Sequence, residues 1–220
     1  MISFFLPIRK GSKRIINKNF KSLPGYKFGL TELKIIQLKK FKNLSKKHFP
    51  NLDFEFVVST NCKKVILYLK KYSWIKLHLR PNNLASDDSL DKLIKFVPKI
   101  CVGNFVLWTH VTSPKFDHLE YLKFLKIFLR KSKIYKSAFS ADKLQKFIFS
   151  NKKWISHVKS KKKWPRTQDL TPMYVANSAA FIASKKIYLN NADRICSNPL
   201  PIVSTDDKGM DIDDLKDFKR

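Results

Sequence analysis

The sequence predicts an α/β domain, and three observations lead there. Short apolar runs of strand length alternate along the chain with longer segments whose apolar residues recur at helical spacing. The first run, 2–6, empties into a basic loop containing a glycine, the usual place for a ligand at the carboxyl end of a strand. A chain of 220 residues with 44% hydrophobic content is the size of one domain with a sizeable core.

The run 2–6 is the first buried strand, and the loop that leaves it holds Gly11, Ser12 and the cations Arg9, Lys10, Lys13, Arg14 and Lys18. Gly11 lets the backbone approach an anion, and the N–H groups and cations around it suit a polyphosphate. A basic surface turn would have the same composition. Segment 27–47 is an amphipathic helix built on Leu30, Leu33, Ile36, Leu38 and Phe41, with Thr31 as its cap. Segment 54–60 is a second buried strand ending in a polar turn at Thr60 and Asn61, and 65–72 and 75–79 follow as helix and third strand.

Pro81 stiffens the chain beyond that strand, so that Arg80, Ala85 and Ser86 can line a cleft. A helix over 90–97 leads to a fourth strand, 104–108, which ends in Thr109-His110-Val111-Thr112-Ser113-Pro114. His110 can donate or accept one hydrogen bond there. An amphipathic helix over 117–131 and a strand over 135–140 come next. Segment 142–164 interleaves Lys with Phe147, Phe149, Trp154 and Trp164 and contains the run 159–163, a composition that also fits a single-stranded nucleic-acid surface. Beyond a polar loop with Arg166 and Gln168, 174–182 is apolar, and Pro199 and Pro201 confine 195–204 to a sheet border. In Asp211-Ile212-Asp213 an extended segment puts two carboxylates on one side, an arrangement suited to Mg²⁺ with substrate phosphates.

Net charge is +28, which by itself points to nucleic acid or another acidic surface. The cations are mostly Lys scattered among Phe, Ile and Asn along the helices, as a drift in composition would also leave them. Three cysteines, Cys62, Cys101 and Cys196, offer neither a disulfide framework nor zinc-ligand spacing. No apolar run reaches the roughly 18 residues of a membrane span, and the amino-terminal run is followed rather than preceded by positive charge. A soluble cytoplasmic protein is the expectation.

Four blocks in order resemble the acylneuraminate cytidylyltransferases, the CMP-sialic acid synthetase family. They are Pro7-x-Arg9-x-Gly11-Ser12-Lys13-Arg14 with Lys18-Asn19-Phe20; Arg80-Pro81-x-x-Leu84-Ala85-x-Asp87; Arg166-x-Gln168-Asp169-Leu170 with Asn177-Ser178-Ala179; and Asp211-Ile212-Asp213-x-x-x-Asp217-Phe218. Thr112-Ser113-Pro114 adds a weaker fifth. The departures are Ile8 for an alanine, Asn61 for an aspartate, His110 for a glutamine, Phe116 for an arginine whose charge Lys115 would cover, and Ser178 for a glycine.

The resemblance implies one α/β/α domain over 1–220, on a mostly parallel Rossmann-like sheet of the nucleotide-diphospho-sugar transferase type. It implies an excursion over about 141–165 that packs across a homodimer and helps roof the sugar pocket. The implied activity joins CTP to a nonulosonic, sialic-acid-like 2-keto acid with release of pyrophosphate, with Mg²⁺ as cofactor. Arg9, Lys18 and Asp211 would be catalytic; Ser12, Lys13, Asn19, Arg80, Ala85, Ser86 and His110 would join Arg9 and Lys18 around the nucleotide. Thr112, Arg166, Gln168 and Asn177 would meet the sugar, and Asp211 and Asp213 the metal. The sister enzymes for the eight-carbon acid Kdo are an alternative, although their first loop typically reads Ser-Thr-Arg. A basic nucleic-acid-binding protein without catalysis is the reading from another class.

Overall fold

A computed structural model describes residues 1–12, 14–158 and 162–219. Its centre is a seven-stranded sheet in the order β3-β2-β1-β4-β8-β5-β9. The strands are β1 (Ile2–Ile8), β2 (Phe54–Thr60), β3 (Lys76–Leu79), β4 (Phe105–Thr109), β5 (Ser137–Leu144), β8 (Met173–Ser184) and β9 (Leu200–Val203). Strands β6 (Phe149–Ser150) and β7 (Lys153–Trp154) form a separate hairpin. Helices α1 (Gly29–His48), α2 (Lys63–Leu69), α3 (Leu90–Ile100), α4 (His118–Lys131) and α5 (Lys185–Asn190) complete the chain with several 3₁₀ turns. Strands β1 to β4 pair in parallel, as do β5 and β9, and β8 runs antiparallel between β4 and β5.

The sheet is covered on both sides, which explains why β1 is apolar at nearly every position instead of alternating. Phe4, Leu6 and Ile8 pack with Leu38 and Phe41 of α1, Val65 of α2 and Phe128 of α4. Phe5, Val57 and Trp108 face the other way, against Leu93 and Val97 of α3 and Ile187 and Tyr188 of α5. The result is the three-layer α/β/α arrangement that the resemblance implies. Phe4 is the centre of the first layer: its ring lies 4.8 Å from Phe41, 5.1 Å from Phe56 and 5.5 Å from Tyr121. Pairs of this kind add about 0.5–1.5 kcal/mol each beyond the area they bury.

Several element ends differ from expectation. Thr31 lies inside α1, and its hydroxyl donates to the Asn19 carbonyl at 2.7 Å; the helix opens instead with Glu32 accepting from Phe28 N at 2.7 Å. Helix α2 ends at Leu69, short of Tyr72, whereas α3 runs on through Pro98 to Ile100. Strand β5 starts at Ser137 and continues to Leu144, because its ladder with β8 resumes beyond a bulge between Phe139 and Ala141. Asp117 caps α4 and is not its first residue, accepting from Leu119 N at 2.8 Å and Glu120 N at 3.3 Å. Strand β9, with Pro201, is an edge strand as predicted. No helix among the described residues is long and apolar enough to cross a membrane.

Candidate active site

The strand order reverses at β1, with β2 and β3 on one side and β4 on the other. A crevice opens at such a switch point beyond the carboxyl ends of the strands. Here it is a cavity of about 580 Å³. Its floor and rim come from Pro7 near the end of β1 and from the residues that follow β1 (Arg9, Ser12, Arg14, Ile15, Lys18, Asn19), β3 (Arg80, Leu84, Ser86, Ser89) and β4 (His110, Val111, Thr112).

The first loop is held open by its neighbours. Lys10 N donates to Asn61 Oδ1 at 2.9 Å, so the amide that stands in place of an aspartate anchors the loop to the end of β2. Asn19, itself buried, donates from Nδ2 to the Arg9 carbonyl at 3.1 Å, which folds the loop back on its own start. Gly11 has a φ of +89°, a conformation that a side chain would strain. Lys13 lies outside the described residues.

Arg80 is buried at the end of β3. Its Nε donates to Ser59 Oγ at 3.1 Å, its Nη2 donates to the Ser59 carbonyl, and Ser59 Oγ also meets His78 Nδ1 at 2.9 Å. Burial first, and then the like charge of Arg9, pull the Arg80 guanidinium down to about 10, which leaves it charged at neutral pH. Two guanidiniums close enough to repel, beside Lys18 and Arg14, make a site for an anion of several charges. The apolar wall of the cavity is made by Leu84, Leu90, Leu93 and Trp108.

His110 lines the cavity at the end of β4, and its Nε2 accepts from the indole N–H of Trp108 at 2.6 Å. Burial, together with the charges of Arg194, Lys34 and Lys18, holds its pKa down at about 3, so the ring is neutral. Lys34 underpins the next turn from below: fully buried, it donates to the carbonyls of Ser113 at 2.9 Å and Phe116 at 2.8 Å and to Tyr121 Oη at 3.2 Å.

The carboxyl-terminal segment returns to the same place. Ile212 N donates to the Thr112 carbonyl at 2.7 Å, and Lys18 Nζ donates to the Ile212 carbonyl at 2.5 Å. Ile212 is buried, which fixes the segment against the core. Asp213 is exposed and pairs with Arg14 at 3.0 Å and Lys18 at 3.8 Å. Asp211 is half-buried, and its Oδ1 is sealed from solvent without a hydrogen-bond partner. Burial raises its pKa, and the nearby charge of Asp213 raises it further. An orphaned carboxylate oxygen beside a second carboxylate fits a hard cation that takes its other ligands from phosphate and water. Among the described residues no cluster of three metal-ligating side chains exists, so a cation here would depend on its substrate for ligands.

The structure thus brings Arg9, Ser12, Lys18, Asn19, Arg80, Ser86, His110 and Thr112 around one cavity, with Asp211 and Asp213 on the adjoining segment. Ala85 is buried beside it without lining it. The remaining expected residues lie elsewhere. Arg166 is exposed and pairs with Asp169 at 3.0 Å, and the Gln168 carbonyl accepts from Gln145. Asn177 is used up by Ser140, Asp142 and Ser204 where the register between β5 and β8 shifts. Lys115 does not cover for an arginine at the cavity; it pairs with Asp207, while Phe116 is buried in the core. Ile8 is also wholly buried, so its bulk is absorbed by the core.

No family model matches the sequence, and no curated protein matches it. Solved structures do share the fold. A CMP:2-keto-3-deoxy-manno-octonic acid synthetase complexed with CTP superposes with a TM-score of 0.53 at 13% identity, over 87% of this chain and 77% of the other. The 4-diphosphocytidyl-2C-methyl-D-erythritol synthase of Anaerococcus prevotii gives 0.65 at 12% identity, over 99% and 94%. The 2-C-methyl-D-erythritol 4-phosphate cytidylyltransferase of Francisella tularensis gives 0.59 at 12% identity, over 100% and 97%. At these identities the likeness is one of fold.

Proposed function

We propose that this protein is a cytidylyltransferase that activates a nonulosonic, sialic-acid-like 2-keto acid with CTP. The observation that carries the reading is the cavity at the sheet's switch point, lined by Arg9, Arg14, Lys18 and Arg80 together with apolar side chains, with Asp213 paired to Arg14 and Lys18 on the adjoining segment that also carries Asp211. The sequence blocks that resemble the acylneuraminate enzymes supply most of those residues. Structures of the same fold include a CMP:2-keto-3-deoxy-manno-octonic acid synthetase complexed with CTP and a 2-C-methyl-D-erythritol 4-phosphate cytidylyltransferase, which supports the cytidylyl transfer from CTP and leaves the choice of acid to the sequence blocks.

In this reading Arg9, Lys18 and Arg80 neutralise the triphosphate, and the apolar wall of Leu84, Leu93 and Trp108 takes the base. The anomeric hydroxyl oxygen of the acid forms a bond to the α-phosphorus, the bond from that phosphorus to the β-bridging oxygen breaks, and pyrophosphate leaves with the electron pair. The hydroxyl proton passes to solvent. Catalysis is then a matter of positioning and charge neutralisation, with no covalent enzyme intermediate. Asp211 and Asp213 would hold Mg²⁺, which supplies charge for phosphate oxygens when bound.

Arg166 and Gln168 lie outside this chain's cavity, and we assign them to a homodimer formed over 141–165, where Phe149, Ile155 and Trp164 are exposed. With those residues outside the cavity, the residues left at the site do not favour one acid strongly, and Kdo is the second reading. The test is pyrophosphate release from CTP and Mg²⁺ with a panel of nonulosonic acids, Kdo and 2-C-methyl-D-erythritol 4-phosphate. Release with a nonulosonic acid and CTP alone supports the proposal, and release with Kdo alone transfers it to the second reading. Salt-sensitive oligonucleotide binding that survives saturating CTP and Mg²⁺, with no turnover, would put a nucleic-acid-binding protein in its place.

A further inference from the structure

Trp108 and His110 stand two apart at the end of β4, and both border the cavity. An indole nitrogen can only donate, so the imidazole nitrogen it meets, Nε2, must be the unprotonated one. The ring proton is therefore on Nδ1. Among the described residues nothing hydrogen-bonds Nδ1, and that atom is not sealed from solvent.

We propose that Trp108 is a positioning residue: by donating to Nε2 at 2.6 Å it fixes His110 as the Nδ1–H tautomer, so the cavity presents one permanent donor and selects a ligand acceptor at that point. A glutamine amide could turn either its oxygen or its nitrogen to the ligand, whereas this imidazole offers only N–H. The acceptors that fit are a carbonyl oxygen or ring nitrogen of a base and a carboxylate oxygen of an acid.

The surroundings keep the device from switching. Among the described residues the charged groups that bear on His110 are cations: Arg194 from the loop after α5, Lys34 from α1 and Lys18 from the first loop. Arg194 lies 3.9 Å from the centre of the Phe181 ring and 5.3 Å from that of Trp108, so it packs on the face of the indole whose edge holds His110. A second proton on the imidazole would break the Trp108 bond and meet three like charges, which burial alone already disfavours.

The tautomer is read directly from two-bond ¹H–¹⁵N correlations of the labelled protein, with His110 assigned by the loss of its signals in His110→Gln. The expected pattern is a protonated Nδ1 and an unprotonated Nε2 that stay unchanged from about pH 8 to about pH 5, across the range in which free histidine titrates. Protonation at Nε2, or titration within that range, would overturn the proposal. In Trp108→Phe the Nε2–H tautomer should appear; an unaltered Nδ1–H pattern in that variant would remove Trp108 from its role.

The choice of ligand acceptor rests on the cytidylyltransferase reading, and titration separates the two. A shift of the Nδ1–H signal with CTP alone assigns the acceptor to the base, and a shift with the 2-keto acid alone assigns it to the carboxylate. If either compound binds by calorimetry without moving that signal, and the other does no better, the selection role fails while the enzymatic reading stands. If neither binds, the enzymatic reading fails, and the selection role falls with it. Trp108→Phe should raise KM for the selected ligand about tenfold in the native background and less than about twofold in the His110→Gln background, because an amide has no tautomer to fix. Equal effects in both backgrounds would make Trp108 a packing residue only.

Discussion

Arg14 and Asp213 form an ion pair of 3.0 Å that ties the first loop to the carboxyl-terminal segment at the cavity. Both side chains are more than half exposed, so the pair adds little to stability. Its consequence is electrostatic: without substrate, Asp213 occupies cations that a triphosphate would otherwise meet, and Lys18 shares it at 3.8 Å. Binding of nucleotide would then exchange one partner for another.

Asp213→Asn should therefore change stability by less than about 0.5 kcal/mol. It should also tighten Mg²⁺-free CTP binding about threefold by removing one like charge from the ligand's surroundings. Calorimetry with and without the cation checks both arms, and weaker CTP binding in the Mg²⁺-free arm would contradict the exchange.

Asp211 should show opposed effects on activity and stability. Its carboxylate is half-buried with an orphaned oxygen, and burial raises its pKa, so ionising it is harder in the folded state than in the unfolded chain. A group of this kind costs stability at pH values above its folded pKa and costs nothing well below the unfolded one. Asp211→Asn should gain about 1 kcal/mol at neutral pH and lose turnover by about a hundredfold or more. Thermal denaturation and pyrophosphate release measure the two, and a variant with near-native turnover would remove Asp211 from the site.

Lys34 gives a pH dependence of known sign. Burial pulls its pKa from 10.5 to about 7. Between those values the unfolded chain binds more protons, so Lys34's contribution to stability rises as pH climbs from about 7 to about 10.5. Relative to Lys34→Met, the native protein should gain at least about 3 °C in Tm over that range. The variant should itself be destabilised at every pH, by about 2–4 kcal/mol, since the carbonyls of Ser113 and Phe116 lose a buried donor.

Ser178 has a φ of +62°, the left-handed conformation that glycine adopts most readily, and it lies among the extra residues of β8 where its register with β5 shifts between Phe139 and Ala141. Ser178→Gly should stabilise the protein by about 0.5–1 kcal/mol, less the entropy a glycine adds to the unfolded chain. Chemical denaturation at constant m-value checks it.

Much of the frame was legible in residue order. The apolar run of β1 needed no alternation because both faces are covered, and the loop after it announced itself through Gly11 and its cations. Arg80 lines the cavity where β3 ends and Pro81 follows, a position that its place in the sequence made readable. The acidic triplet stood out against a basic chain. The apolar wall was missed, since Leu84, Leu93 and Trp108 look like ordinary core residues in a list. Lys34 was missed for the opposite reason: a lysine on an amphipathic helix reads as solvated, and only the carbonyls of a distant turn make it a buried one.

Local signals are short-ranged because they rest on periodicity, backbone preference and turn chemistry, and these fixed the order of strands and helices and the character of the first loop. Which distant side chains meet is another matter. Arg166, Gln168 and Asn177 stand in a well-formed motif yet lie outside the cavity, whereas Arg194, in no motif, packs on the ring behind His110. Those pairings follow from sheet order, the register shift between β5 and β8 and the return of the carboxyl-terminal segment to Thr112, and the free energy that sets them belongs to packing across the fold.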